Sequence, residues 1–144
     1  MADVARVDAV IGEITDLFRT LETRRAYDAS SADLTSTEYR ALARAASTPN
    51  LTPKRLSESL GMSTAAVTAV ADRLVSRSLL ERVSNPADRR SVVLVPTAAG
   101  RTIVESAFGS FTALVADAIA DVPEDCIDEV TAVLSRITRA MRDV

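Results

Sequence analysis

Residues 52–97 read TPKRLSESLGMSTAAVTAVADRLVSRSLLERVSNPADRRSVVLVPT, and the fold is decided there. Thr52 offers a side-chain oxygen to the free N–H groups of a helix start, and Pro53 follows where a missing N–H costs nothing. The spacing predicts a short helix over 53–60 that buries Leu56 and Leu60 and ends at Gly61. After Met62, Ser63 or Thr64 is the next cap, opening a helix over 65–77 with Val67, Val70, Ala71 and Leu74 on its inner face. Two short helices joined by a glycine-containing turn, the second with a small, hydroxylated start, spell helix-turn-helix. Residues 79–83 and 91–95 are β-prone, and Ser84-Asn85-Pro86-Ala87-Asp88-Arg89-Arg90 between them predicts a turn-rich loop with a basic end. A hairpin directly behind a helix-turn-helix is a wing.

Outward from this stretch the pattern is helical. Thr35 with Glu38 forms a capping box, opening a helix through Tyr39, Leu42 and Ala43 that stops before Pro49 and Asn50. Upstream, Val4, Val7, Val10, Ile11, Ile14, Leu17, Phe18 and Leu21 recur at three- and four-residue steps, the stripe of a long helix broken by the polar residues 29–33. Downstream, Thr97 caps a long helix marked by Ile103, Val104, Phe108, Phe111, Leu114, Val115 and Ile119. Pro123 opens a last helix, with Glu124 and Asp125 in its first turn and Arg136, Arg139 and Arg142 near its end, signs that suit the helix dipole. The expected class is mainly α with a small β-wing: a winged helix-turn-helix lobe over 34–101 and a helical region over 1–28 and 102–144, together one domain.

Composition narrows the function. The 144 residues are 47% hydrophobic and 26% charged, with no histidine and one cysteine, Cys126. That leaves no Cys/His metal site, no histidine-based triad and no internal disulfide. The amino terminus carries acids every few residues, unlike a secretory signal, and no apolar run approaches a membrane span, so a soluble cytoplasmic protein without cofactor or membrane partner is expected. The net charge of −3 hides a change of sign. Residues 51–101 hold eight bases against four acids, whereas 1–50 hold six against eight and 102–144 three against eight. A basic middle between acidic ends suits a polyanion-binding module on a different kind of scaffold.

The run Asp72-Arg73-Leu74, Leu79-Leu80, Arg82, Asn85-Pro86-Ala87-Asp88-Arg89-Arg90 and Thr97-Ala98-Ala99-Gly100 resembles the MarR family of winged-helix transcriptional regulators. The order and spacing are similar to that family's recognition-helix end, wing strand, D-R-R tip and T-x-x-G helix start. Two departures concern turn geometry: Ser78 stands where glycine is common, and Val95-Pro96 precede Thr97 where leucine is usual. The resemblance implies a homodimer whose terminal helices interleave above two winged lobes. Two-fold symmetry then asks for a near-palindromic double-stranded DNA operator with half-sites about one helical turn apart.

Within that frame Ser63, Thr64, Ala65 and Thr68 are the expected base-contacting residues, because small side chains let the helix approach the groove floor. The plainer role for Ser63 or Thr64 is a cap. Arg73 is expected at a phosphate or with a partner on its own helix near Asp72. Lys54 and Arg55 are expected at phosphates from the front of the preceding helix. Arg89 and Arg90 at the wing tip are expected in the minor groove, where the potential is most negative. By the resemblance Arg90 is the inserted residue, and Asp88 orients the wing without touching DNA. Cys126, on an apolar stripe with Val130, Val133 and Ile137, is expected to be a buried thiol rather than a redox switch. The resemblance also implies a small aromatic or anionic effector, for which Arg24, Arg25, Arg40 and Arg44 are candidate partners without a defined site. No enzyme motif is present. A repressor is the expected function. The rival is a winged-helix adaptor or antirepressor that binds protein and no operator.

Overall fold

The computed structural model describes residues 3–143. The chain divides into two compact units, Met1–Ser106 and Ala107–Val144.

The first unit begins with helix α1, Val4–Ser31, capped by the Asp3 carboxylate on Ala5 N–H. It runs further than the polar residues 29–33 suggest, because its end is fixed by backbone geometry. Leu34 N–H reaches back to Ala29 O and Asp33 N–H to Ser30 O, with Asp33 at φ +54°. This is a Schellman end, and Ala29 and Leu34 are buried beside it. Upstream of that turn α1 buries nothing: Val4, Val7, Val10, Ile11, Leu17 and Phe18 are all exposed.

Helix α2, Ser36–Ser47, starts at the capping box, with both reciprocal bonds present between Thr35 and Glu38. Helix α3, Pro53–Leu60, has Thr52 as cap and Gly61 at φ +64° as stop. Helix α4, Thr64–Ser76, is capped by Ser63 and buries Val67, Val70, Ala71 and Leu74, the face its spacing predicts. It ends on Ser78 at φ +57°, where Leu79 N–H reaches Leu74 O and Ser78 N–H reaches Val75 O. Serine therefore holds the left-handed turn that glycine would hold without a Cβ penalty.

Strands β1, Leu80–Asn85, and β2, Asp88–Pro96, pair antiparallel as the wing. The strands extend through most of the expected loop, so Pro86-Ala87 alone is the turn. One backbone bond, Leu94 N–H to Leu51 O, ties the wing to the chain between α2 and α3. Leu42, Leu51, Leu56, Val67, Leu74, Leu80 and Leu94 form the fully buried centre of this unit. Helix α5, Ala98–Ala118, starts here, and Gly100 is its one buried residue. Thr97 accepts Gly100 N–H and donates its hydroxyl to Ser78 O.

The second unit holds the rest of α5 and helix α6, Glu124–Arg142, which opens at Pro123 as its cap residue. No described residue of α6 is buried. Cys126 is exposed, which corrects the expectation of a buried thiol: Val130, Val133, Leu134 and Met141 of the same helix are exposed with it.

Candidate nucleic-acid interface

The start of α4 presents small side chains outward while Val67, Val70 and Leu74 turn inward. Ser63, Thr64, Ala65 and Thr68 are all exposed. Ser63 Oγ accepts Ala66 N–H at 3.2 Å, so the capping role is real; a hydroxyl in that position keeps a second lone pair and its proton. Thr68 donates its hydroxyl to Thr64 O at 2.8 Å and stays able to accept. Lys54 and Arg55 stand exposed in the first turn of α3, and neither side chain has a hydrogen-bond or ionic partner among the described residues.

The wing carries the sharpest geometry. Ser84 lies opposite Val92 and Asn85 opposite Asp88, with a register break between them. Arg89, Arg90 and Ser91 are therefore an excess on β2, and they bulge out of the ladder. Bulges re-aim side chains, and here the re-aimed ones are two exposed guanidinium groups without an ionic partner among the described residues. This corrects their expected place on a loop: both arginines lie inside a strand. Local bonds set the bulge. Asp88 Oδ1 accepts Arg90 N–H at 3.0 Å, Asn85 Oδ1 accepts Ala87 N–H at 3.0 Å, and Asn85 Nδ2 donates to Ser91 Oγ at 2.9 Å. The wing is joined to α4 by Arg82 Nη1 on Asp72 Oδ1 at 2.7 Å.

Arg73 does not take the partner expected on its own helix near Asp72. Its Nε donates to Glu38 Oε1 at 2.6 Å, across 35 residues of sequence. Glu38 is one of two buried polar residues among the described residues, and its other oxygen accepts Thr35 N–H at 2.9 Å. The Thr35 N–H, and after it the Arg73 guanidinium, hold this carboxyl below the usual carboxylate range although burial pushes it up. Sequence reading gave Glu38 a capping role and missed this pairing. The signal was faint: a glutamate on the same side of α2 as the buried Leu42 and Ala45.

A groove of about 290 Å³ opens elsewhere on this unit, lined by Arg25, Tyr39, Arg40, Arg44, Ser47 and Ser59 among others. Arg40 and Arg44 lie one turn apart on α2 without an acidic partner among the described residues. Burial first, then the Asp28 charge, raises the Tyr39 phenol above its ordinary range. Among the described residues no cluster fit to hold a metal occurs and no helix is long and apolar enough to cross a membrane.

Residues 34–92 match the model of the MarR family. The chain is 33% identical over 76 residues to the multiple antibiotic resistance protein MarR of Escherichia coli, and those residues are 53% of each protein. It thus spans about half the length of that relative. Its backbone is similar to that of a MarR family protein from Bacillus stearothermophilus, with a TM-score of 0.80 at 18% identity over 99% of both chains. A structure of Streptococcus pneumoniae FabT in complex with DNA gives 0.75 at 23% identity, covering 98% of this chain and 99% of that one. The winged lobe is thus similar to that of the MarR family, and nearly the whole chain has the winged-helix fold of these solved structures.

Proposed function

We propose that the chain is a sequence-selective regulator of transcription that binds double-stranded DNA as a homodimer on a near-palindromic operator and represses by occupying it. The observation that carries this reading is the pairing of two surfaces tied by the Asp72–Arg82 bridge. One is a helix start of small exposed side chains, Ser63, Thr64, Ala65 and Thr68; the other is a bulged wing with Arg89 and Arg90 unpartnered. The first suits the major groove, where a short side chain reaches base edges and thymine methyls. The second suits the minor groove, whose narrow A·T-rich stretches attract guanidinium groups. Lys54 and Arg55 at the start of α3 supply phosphate contacts that set the register. Asp88 holds the wing by its bond to Arg90 N–H and stays off the DNA.

The exposed apolar stripes of α1 and α6 support the homodimer, since such surface on an amphipathic helix is normally covered. The Arg25, Arg40 and Arg44 groove supports an anionic effector that releases the operator. No enzymatic role is part of this reading.

The test is a mobility shift with duplex from the region upstream of the protein's own coding sequence, repeated across salt concentrations. Retention that falls steeply with salt, as counterion release demands, supports operator binding. Indifference to every such duplex favours the adaptor or antirepressor role.

A further inference from the structure

Two arginines on α4 leave that helix and bind the place where α1 ends and α2 begins. Arg77, the C-cap of α4, donates Nη2 to Ala32 O at 3.2 Å and Nη1 to Asp33 O, and its Nη2 lies 3.7 Å from Asp33 Oδ2. Ala32 and Asp33 are the C-cap and the left-handed residue of the α1 end, so their carbonyls are among those a helix end leaves open. One turn earlier Arg73 binds Glu38, whose carboxylate also closes the α2 start. The two guanidinium groups thus grip both sides of a single four-residue connection, residues 32–35. Arg77 alone spans two carbonyls, a fork geometry that an ammonium does not reproduce.

We propose that Arg73 and Arg77 are positioning residues for DNA reading: they clamp α4 to the α1–α2 junction and fix how far its small-residue face stands out. Neither guanidinium has to touch DNA for this. The proposal rests on the DNA-binding reading and reassigns Arg73 from a phosphate contact to a structural one. It also makes the end of α1 and the reading helix one mechanical piece. A shift at α1 therefore moves α4 directly.

The test uses duplexes that the full-length wild-type protein enriches from a random-sequence pool, with binding by Arg77→Lys and Glu38→Gln measured at several salt concentrations. Circular dichroism checks that each variant is folded. Arg77→Lys keeps the charge and loses the fork, and is expected to bind about tenfold more weakly, the effect of one misplaced specific contact. Its plot of log affinity against log salt should keep the wild-type slope. Glu38→Gln removes a negative charge, which by net charge alone would strengthen DNA binding; the clamp predicts that it weakens it. Wild-type affinity in both variants overturns the clamp, as does a slope shallower by about one, the mark of a lost phosphate contact. Should the wild type enrich no sequence, the DNA reading falls and amide exchange decides the clamp: faster exchange across α4 in Arg77→Lys upholds it, and unchanged exchange overturns it.

Discussion

Replacing Gly100 by alanine adds one methyl group at the point where α5 meets the end of α4. An ideal Cβ there lies 2.1 Å from Leu79 O and 3.1 Å from Leu42 Cδ1. Ordinary carbon–oxygen contacts are about 3.3–3.6 Å, so the first turn of α5 and the Leu79 peptide must separate by roughly 1.2 Å. That peptide is not free to move. Leu79 N–H is held by Leu74 O at 2.9 Å, Leu79 O accepts Thr97 N–H at 3.1 Å, and Thr97 Oγ1 donates to Ser78 O at 2.7 Å. Overpacking costs about 1–3 kcal/mol, and a strained hydrogen bond adds about 0.5–1.5. Alanine's helix preference over glycine returns about 1. Gly100→Ala is therefore expected to destabilise by about 0.5–3.5 kcal/mol, lowering the urea midpoint by roughly 0.25–1.75 M for a typical urea slope of about 2 kcal/mol/M. The assay is equilibrium urea unfolding at one fixed protomer concentration. Gly109→Ala on the same helix is the control, since nothing lies within 4 Å of its added Cβ, and there stability should rise. A Gly100→Ala midpoint equal to or above wild type refutes the reasoning.

Ser78→Gly should stabilise by about 0.5–1 kcal/mol, because the left-handed penalty of an L-residue disappears against a smaller gain in unfolded-chain entropy; thermal unfolding reads it as a higher Tm. Glu38 has its pKa lowered below 4.5 by folding, so its contribution is present above the unfolded value and lost as pH falls through the folded one. Urea midpoints between pH 6 and pH 3 should therefore drop less in Glu38→Gln than in the wild type. Arg90→Ala should weaken operator binding by about 1–3 kcal/mol and flatten the salt dependence by about one ion, read by fluorescence anisotropy; an unchanged affinity removes Arg90 from the interface. If a second copy covers the α6 stripe, labelling of Cys126 by a thiol reagent without denaturant should slow as protein concentration rises, and a concentration-independent rate counts against that cover.

The elements that sequence revealed are those set by neighbours in the chain. Thr35 with Glu38, Thr52 with Pro53, and Ser63 each fix a helix start through side chains within three residues of it. The period of Val67, Val70, Ala71 and Leu74 fixes which face of α4 turns inward. Two features were hidden for different reasons. Ser84, Asn85, Pro86 and Asp88 are all turn formers, so they read as a loop, yet strand pairing outweighs that local preference and leaves two turn residues and a bulge. The Arg73–Glu38 and Arg77–Ala32 bonds join residues 35 and 45 positions apart, and arginine on an exposed face gives no local sign of its partner. The candidate DNA face was legible as composition, small residues on one helix and arginines on the wing. What re-aims the wing arginines was not.

The lobe and the helices outside it draw stability from different sources. Within the lobe, left-handed residues sit at the joints, Asp33, Asn50, Gly61 and Ser78, and three of these joints close with the same pair of backbone bonds. Short helices with ends fixed in this way can pack around Leu42, Leu56 and Leu74 without outside help. The apolar stripe of α1 has no such cover, and Val4, Val10 and Phe18 remain in solvent. In the homodimer reading, a second copy would provide that cover, so the order of α1 would depend on protein concentration. The far end of the same helix is where Arg77 grips. Dimer formation would then stiffen α1, and through its end the placement of α4, so that DNA reading and association are one linked equilibrium rather than two independent properties.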